Sequence, residues 1–344
     1  MKNLTRRDFL GASSLAMLGL AASQASAFTL PTASLEGKRI GVIGLDTSHS
    51  VAFAKSINEN PEGYRGYKVV AAYPYGTKTI PSATDRIPKF TKDIQQYGVK
   101  ITKSIKELLK QVDFVLLETN DGRLHLEQAE EVFKANKVLF IDKPLAASYA
   151  DAQKIFALSE QYKIPFFSSS SLRYIEGMQD IIDGKYGKVL GADVYTPAAL
   201  DPSHPDFFWY GIHGVEMLFA AMGTGCKSVS RTHTEGADVI VGMWEGGRIG
   251  TVRGTRQGKQ GRSAYGGTIF CEKATVALGA YNGYNPLLEK IVDFFDTKVV
   301  PFDGKETLEI CAFIETADVS KFSNGRSIDL NHEYANDGEP KKSK

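Results

Sequence analysis

The sequence predicts an α/β protein: a doubly wound parallel sheet in the N-terminal half, then a second α/β domain with a large, mostly antiparallel open sheet. Three observations carry this expectation. Between Arg39 and Phe167, short apolar runs alternate with amphipathic stretches, the pattern of strand–helix–strand units. After about Ser170 the alternation gives way to β-branched runs joined by glycine turns such as Glu245-Gly246-Gly247, which favours antiparallel pairing. The chain has 344 residues, enough for two domains or one large one.

The elements follow in order. Residues 39–44 form the first buried strand, 51–58 a helix and 67–72 the second strand. Residues 73–89 carry prolines at 74, 81 and 88 and little periodicity, and are expected to be a loop. A helix over 105–110, a strand over 112–118, a helix over 125–135, a strand over 138–141, a helix over 148–161 and a strand over 164–167 complete the first domain, residues 37–165. The second domain, 166–330, has a strand over 189–195 and a helix over 211–222. Strands at 229–234, 238–244, 248–255, 267–271 and 274–278 come next, then helices at 286–296 and 305–319. A polar tail, 331–344, ends the chain.

The N-terminus reads as an export leader. Lys2, Arg6 and Arg7 make a positive segment, Thr5-Arg6-Arg7-Asp8-Phe9-Leu10 is a twin-arginine motif, residues 9–22 are apolar, and Ala25-Ser26-Ala27 is a small-residue cleavage site. An uncleaved anchor is the alternative, but the apolar run is short for a span and holds Gly11, Ser13, Ser14 and Gly19. Residues 1–27 are therefore expected to be a signal peptide, with the protein exported to the periplasm and no stable membrane insertion after processing. The formal net charge is +1, which gives no reason to expect a nucleic-acid partner. Cys226, Cys271 and Cys311 form no paired motif and read as buried thiols, with one bridge as the alternative.

Three segments carry chemistry. The first strand contains Gly41 and leads into Gly44-Leu45-Asp46-Thr47-Ser48-His49, where a dinucleotide pyrophosphate would sit on a helix N-terminus. A G-x-G-x-x-G fingerprint would have glycine at 46 and 49; here they are Asp46 and His49. Thr47, Ser48 and His49 could donate to a phosphate, and Asp46 places a negative charge near it. No ribose-binding acid ends the second strand, which runs Ala72-Tyr73-Pro74-Tyr75-Gly76. Next, Asp142-Lys143-Pro144-Leu145 puts a lysine at the C-terminal end of a parallel strand, facing the crevice in which such sheets bind ligands. A lysine there can exchange a proton with a substrate hydroxyl. Finally, Tyr210, His213 and Glu216 recur every three residues at the start of a helix, roughly on one face. A helical His-x-x-Glu pair could ligate a metal, but no third ligand is identifiable and no metal is expected. The plain alternative is a buried His213 satisfied by Glu216. Arg253, Arg256, Lys259 and Arg262 could recognise an anionic sugar, or line a solvated hairpin tip. The loop of residues 201–206 could border a substrate or be a surface turn.

Together these segments, with Glu118-Thr119-Asn120-Asp121-Gly122-Arg123-Leu124-His125, Ser171-Leu172-Arg173-Tyr174 and Trp209-Tyr210-Gly211-Ile212-His213, resemble the Gfo/Idh/MocA family over about residues 37–325. The resemblance implies a Rossmann domain, a C-terminal domain whose open sheet often serves oligomerisation, and NAD(P)-dependent oxidation of sugars or polyols. Its catalytic lysine falls on Lys143 and its active-site histidine on His213, with Tyr210 sharing or orienting the proton. Asp142 replaces the family's glutamate before that lysine. Trp209 stands where the family has an aspartate, and Glu216 follows the histidine. Nucleotide contacts are expected from Gly41, Gly44, Leu45, Asp46, Thr47, Ser48, His49, Asn120, His125, Asp142 and Lys143. Substrate contacts are expected from Lys143, Arg173, Tyr174, Trp209, Tyr210 and His213. An exported enzyme has no free nicotinamide pool, so NAD or NADP would be tightly bound and recycled. A homodimer or homotetramer acting on a small carbohydrate is expected. A non-redox lyase and a carbohydrate-binding protein are the competing readings.

Overall fold

Strands β1 (Arg39–Ile43), β2 (Lys68–Tyr73), β3 (Lys100–Ile101), β4 (Phe114–Leu117), β5 (Val138–Asp142) and β6 (Phe166–Ser169) form one parallel sheet in the order β3-β2-β1-β4-β5-β6. β4, β5 and β6 are buried at every residue, which is why Phe114–Leu117 and residues 138–141 are continuously apolar rather than alternating. The strand order reverses between β1 and β4, and the crevice above their carboxyl ends is where a ligand is received in such sheets. The computed structural model describes residues 38–202, 204–256 and 264–330. The expected leader and polar tail, and Lys259 and Arg262, lie outside them.

The expected loop over 73–89 is corrected. Helices Pro81–Thr84 and Ile87–Gln95 interrupt it, each with a proline in its first turn. Proline is a breaker inside a helix but costs nothing at the first position, where the N–H would be unsatisfied anyway. Strand β3 was likewise not anticipated; two residues are too few to show a period.

Seven strands form the second sheet, in the order β12-β11-β7-β10-β9-β8-β13. They are β7 (Val189–Pro197), β8 (Cys226–His233), β9 (Ala237–Trp244), β10 (Ile249–Thr255), β11 (Gly266–Cys271), β12 (Thr275–Ala277) and β13 (Ile328–Asp329). Only β7 and β10 pair parallel. Helices Ile212–Met222 and Gly304–Phe322 bury one face of this sheet with Val194, Val229, Ile240, Val252 and Ile269. Register places Tyr195, Met243, Ile249 and Phe270 on the opposite face, where all four are exposed. This is the open face that the family resemblance implies, and its side chains alternate with the buried ones along each strand. No helix among the described residues is long and apolar enough to cross a membrane. The three cysteines are free and buried.

One buried cation organises the second domain. Arg231 is 1% exposed; its Nε donates to Asp238 at 2.8 Å, its Nη2 to Asp206 at 2.7 Å, and its Nη1 to Asp318. The guanidinium lies over the Phe207 ring. β8, β9, the turn before helix Ile212–Met222 and helix Gly304–Phe322 are thereby tied together.

Candidate active site

β1 leads into Gly44 with φ +90°, where an added Cβ would lie 2.5 Å from the Thr119 backbone nitrogen; only glycine fits. Gly44 N and Leu45 N donate to Tyr73 O and Pro74 O. Asp46 is fully buried. Its carboxylate accepts from Thr77 N at 2.7 Å and from Asn120 N at 3.0 Å. It therefore bridges the exits of β2 and β4 across the crevice. The charge expected to face a pyrophosphate is turned away from the cavity, and burial pushes the carboxyl up from its ordinary value against the pull of those hydrogen bonds. Asp46→Ala would leave two buried amides without an acceptor, at a cost of about 2–4 kcal/mol. Thermal unfolding should show the loss, and Asp46→Asn should recover part of it.

Thr47 caps helix Ser48–Glu59, its hydroxyl accepting from His49 N. Thr47, Ser48 and His49 then line a cavity of about 650 Å³. Ser82, Arg86, Asn120 and Lys143 line it from the first domain, and Leu172, Trp209, Tyr210 and His213 from the second. The peptide bond Lys143–Pro144 is cis. Lys143 Nζ lies 3.3 Å from Asp142 Oδ2. His49 Nδ1 is 2.9 Å from the same oxygen and 3.9 Å from Glu118 Oε2. Burial drives Glu118 well above its ordinary range, reinforced by Asp142. Asp142, equally buried, is nevertheless held low by His49 and Lys143.

His213 is buried, and desolvation with the nearby Lys143 charge keeps it well below its ordinary value, so it is neutral at neutral pH. Its Nδ1 lies 2.7 Å from Ser170 Oγ, which already accepts from Leu172 N. With the serine proton directed to Nδ1, the imidazole carries its own proton on Nε2. A tyrosine wall surrounds it. Tyr210 and Tyr265 rings lie 5.2 and 5.8 Å from the His213 ring, and Tyr265 OH donates to Tyr210 OH at 3.2 Å. Tyr281 OH pairs with Ser171 Oγ at 3.0 Å, and Tyr284 sits 4.6 Å from the His49 ring.

Some expected residues are elsewhere. Gly41 lies within β1 against Leu108 and Val112, a packing position. Leu45 is fully buried. His125 is buried with its ring nitrogens facing Leu145 O and Thr119 O, so it joins two chain segments instead of meeting a nucleotide. Arg173 is buried between Glu216 at 2.7 Å and Glu306, over the Phe302 ring; with Tyr174 it borders a different cavity. Glu216 is therefore the partner of Arg173 and Ser169, and His213 is satisfied by Ser170. The His213–Glu216 pair does not form. Arg256 lines the cavity, but its guanidinium is committed to Asp238, Glu235 O and Thr234 O. Of the 201–206 loop, Asp206 is drawn to Arg231 and Lys321. Tyr265, Tyr281, Tyr284, Ser170 and Glu118 were missed: nothing in local spacing connects them with positions 143 and 213.

The first domain can now be placed. Residues 38–169 match the family Gfo/Idh/MocA, described as an oxidoreductase family with an NAD-binding Rossmann fold. That match is confined to the N-terminal domain. No curated protein matches the sequence. Solved structures share the fold over both domains. A scyllo-inositol dehydrogenase from Lactobacillus casei, with bound NAD(H) and scyllo-inositol, is 14% identical with a TM-score of 0.67, over 86% of this chain and 99% of that one. The WlbA dehydrogenase from Bordetella pertussis, in complex with NADH and UDP-GlcNAcA, is 18% identical with a TM-score of 0.65, over 86% of this chain and 99% of that one.

The cavity wall suits a dinucleotide. Thr47 and Ser48 stand at a helix N-terminus, where backbone N–H groups and the helix dipole favour phosphate. The Ser82 hydroxyl and Arg86 guanidinium supply further donors beside them, and Asp46 does not face the space.

Proposed function

We propose that this protein is an NAD(P)-dependent oxidoreductase acting on a hydroxyl of a sugar or polyol, with its nucleotide tightly held and recycled. The observation that carries this reading is the convergence of Lys143 and His213 on one cavity that the phosphate-suited helix N-terminus also lines. When bound, the nicotinamide supplies the hydride acceptor. Thr47, Ser48, Ser82, Arg86 and Asn120 hold the nucleotide. Lys143, just past the end of β5, in its neutral amine form takes the proton from the substrate hydroxyl oxygen as the carbonyl forms, and as the ammonium returns it in the reverse direction. Neutral His213 donates from Nε2 to that oxygen or its neighbour and fixes the substrate's orientation. Tyr210, Tyr265, Tyr281 and Trp209 enclose a sugar-sized space with apolar faces and few hydroxyls, which limits water and orients the ring.

The twin-arginine leader supports an exported protein, and export supports a closed redox cycle. The apolar open face of the second sheet supports a homodimer or homotetramer. A non-redox lyase is the second reading; His49 in place of a fingerprint glycine, on the cavity wall, favours it. The separating experiment incubates the protein with NAD or NADP and a panel of polyols and aldoses, and follows keto products by mass spectrometry. A product two mass units lighter than its substrate supports oxidation. Elimination products with no change in nucleotide redox state would replace it with the lyase reading.

A further inference from the structure

We propose that His49, Glu118 and Asp142 bind one divalent first-row transition-metal ion beneath the floor of the cavity. Three buried residues each aim one ligand atom at a common point, all within 4.8 Å of one another. A metal–oxygen or metal–nitrogen bond is about 2.0–2.2 Å, so ligands of one ion stand roughly 3–4 Å apart; the observed 2.9 and 3.9 Å need only a sub-ångström adjustment.

The independent pointer is polar satisfaction. Glu118 is fully buried, and neither of its carboxylate oxygens has a hydrogen-bond partner. Buried carboxylates without donors are costly and are ordinarily paired or coordinated to metal. Asp46 shows the contrast: also fully buried, its carboxylate takes two backbone amides. The nearby Lys143 ammonium approaches Asp142, at 3.3 Å, and not Glu118. One nitrogen and two carboxylates suit zinc, manganese or iron(II) better than calcium, which takes six to eight oxygens. Three protein ligands leave a position open, and His49 and Lys143 lie on the cavity side of the cluster. An ion there would polarise a substrate hydroxyl or carbonyl oxygen beside Lys143.

The test needs neither nucleotide nor substrate, so its failure is distinct from failure of the oxidoreductase reading. The full protein, stripped with a chelator and dialysed, is titrated with Zn²⁺ alone and Mn²⁺ alone by calorimetry. Thermal unfolding is recorded with and without each ion. The expected result is one equivalent bound, with a rise in Tm. Glu118→Gln keeps the shape and should weaken binding by about 100-fold or more and abolish the Tm rise. His49→Gln should behave alike and serves if the first variant does not fold. Absence of binding in the wild type overturns the proposal. So does binding that persists unchanged in folded Glu118→Gln or His49→Gln, which would place the ion elsewhere.

Discussion

Replacing Lys143 with methionine abolishes turnover, with kcat/KM reduced by about 10²–10⁴-fold, the usual contribution of a positioned acid–base group. Methionine keeps the length and apolar stem of the side chain and removes only the ammonium, so the buried position, 6% exposed, remains filled. Thr47, Ser48, Ser82, Arg86 and Asn120 are the residues assigned to the nucleotide and Lys143 is assigned to the substrate, so nucleotide affinity should change far less than turnover. Steady-state kinetics on a substrate from the polyol panel, with nucleotide binding by fluorescence titration, measures both. A Lys143→Met enzyme retaining full kcat would remove the lysine from the chemistry and, with it, the lyase reading that uses the same base. His213→Gln should retain part of the activity, because a side-chain amide can still donate a hydrogen bond.

Arg231→Met should cost about 3–5 kcal/mol of stability, the penalty for removing one partner from a buried ion cluster. Three carboxylates converge on this guanidinium, and Asp238 is itself buried. The pH dependence has a definite sign. Asp206 and Asp238 are held below their ordinary value of 3.8, with Arg231 among the causes. Their contribution is present above about pH 4 and is lost as pH falls through the lowered folded values. Asp318 runs the other way: burial outweighs Arg231 and raises it to about 6, so its contribution is full below 3.8 and lost as pH rises through about 6. Arg231 favours the ionised form of all three. The difference in stability between wild type and Arg231→Met should therefore be largest near neutrality and shrink toward pH 3. Urea unfolding at both pH values measures it; a gap independent of pH would mean that the loss is one of packing over Phe207 alone.

The fold was legible because its signals are periodic and local. Continuous apolar runs at β1, β4 and β5 marked a parallel sheet, and alternation in β7 to β11 marked the second. The 73–89 segment was misread because proline at a helix start and proline in a loop look alike until the helix is seen. The site was partly legible. Lys143 and His213 stand at strand and helix ends that any doubly wound sheet directs to its crevice. Tyr265 immediately precedes β11, Tyr281 and Tyr284 lie in the segment before helix Asn285–Thr297, and only tertiary packing brings them to His213 and His49. Asp46 reads from sequence as a negative charge near the phosphate because sequence gives a residue's charge without its direction; Thr77 N and Asn120 N, 31 and 74 residues away, determine where that carboxylate points.

The central claim is that the cavity between Ser48 and His213 holds a nicotinamide dinucleotide tightly enough to stay through purification. Protein purified without added cofactor is denatured, and the released small molecules are identified by mass spectrometry. Stoichiometric NAD or NADP is the predicted result. A protein that releases none, and that also fails to bind either nucleotide when it is supplied, would contradict the account and make the lyase the leading reading.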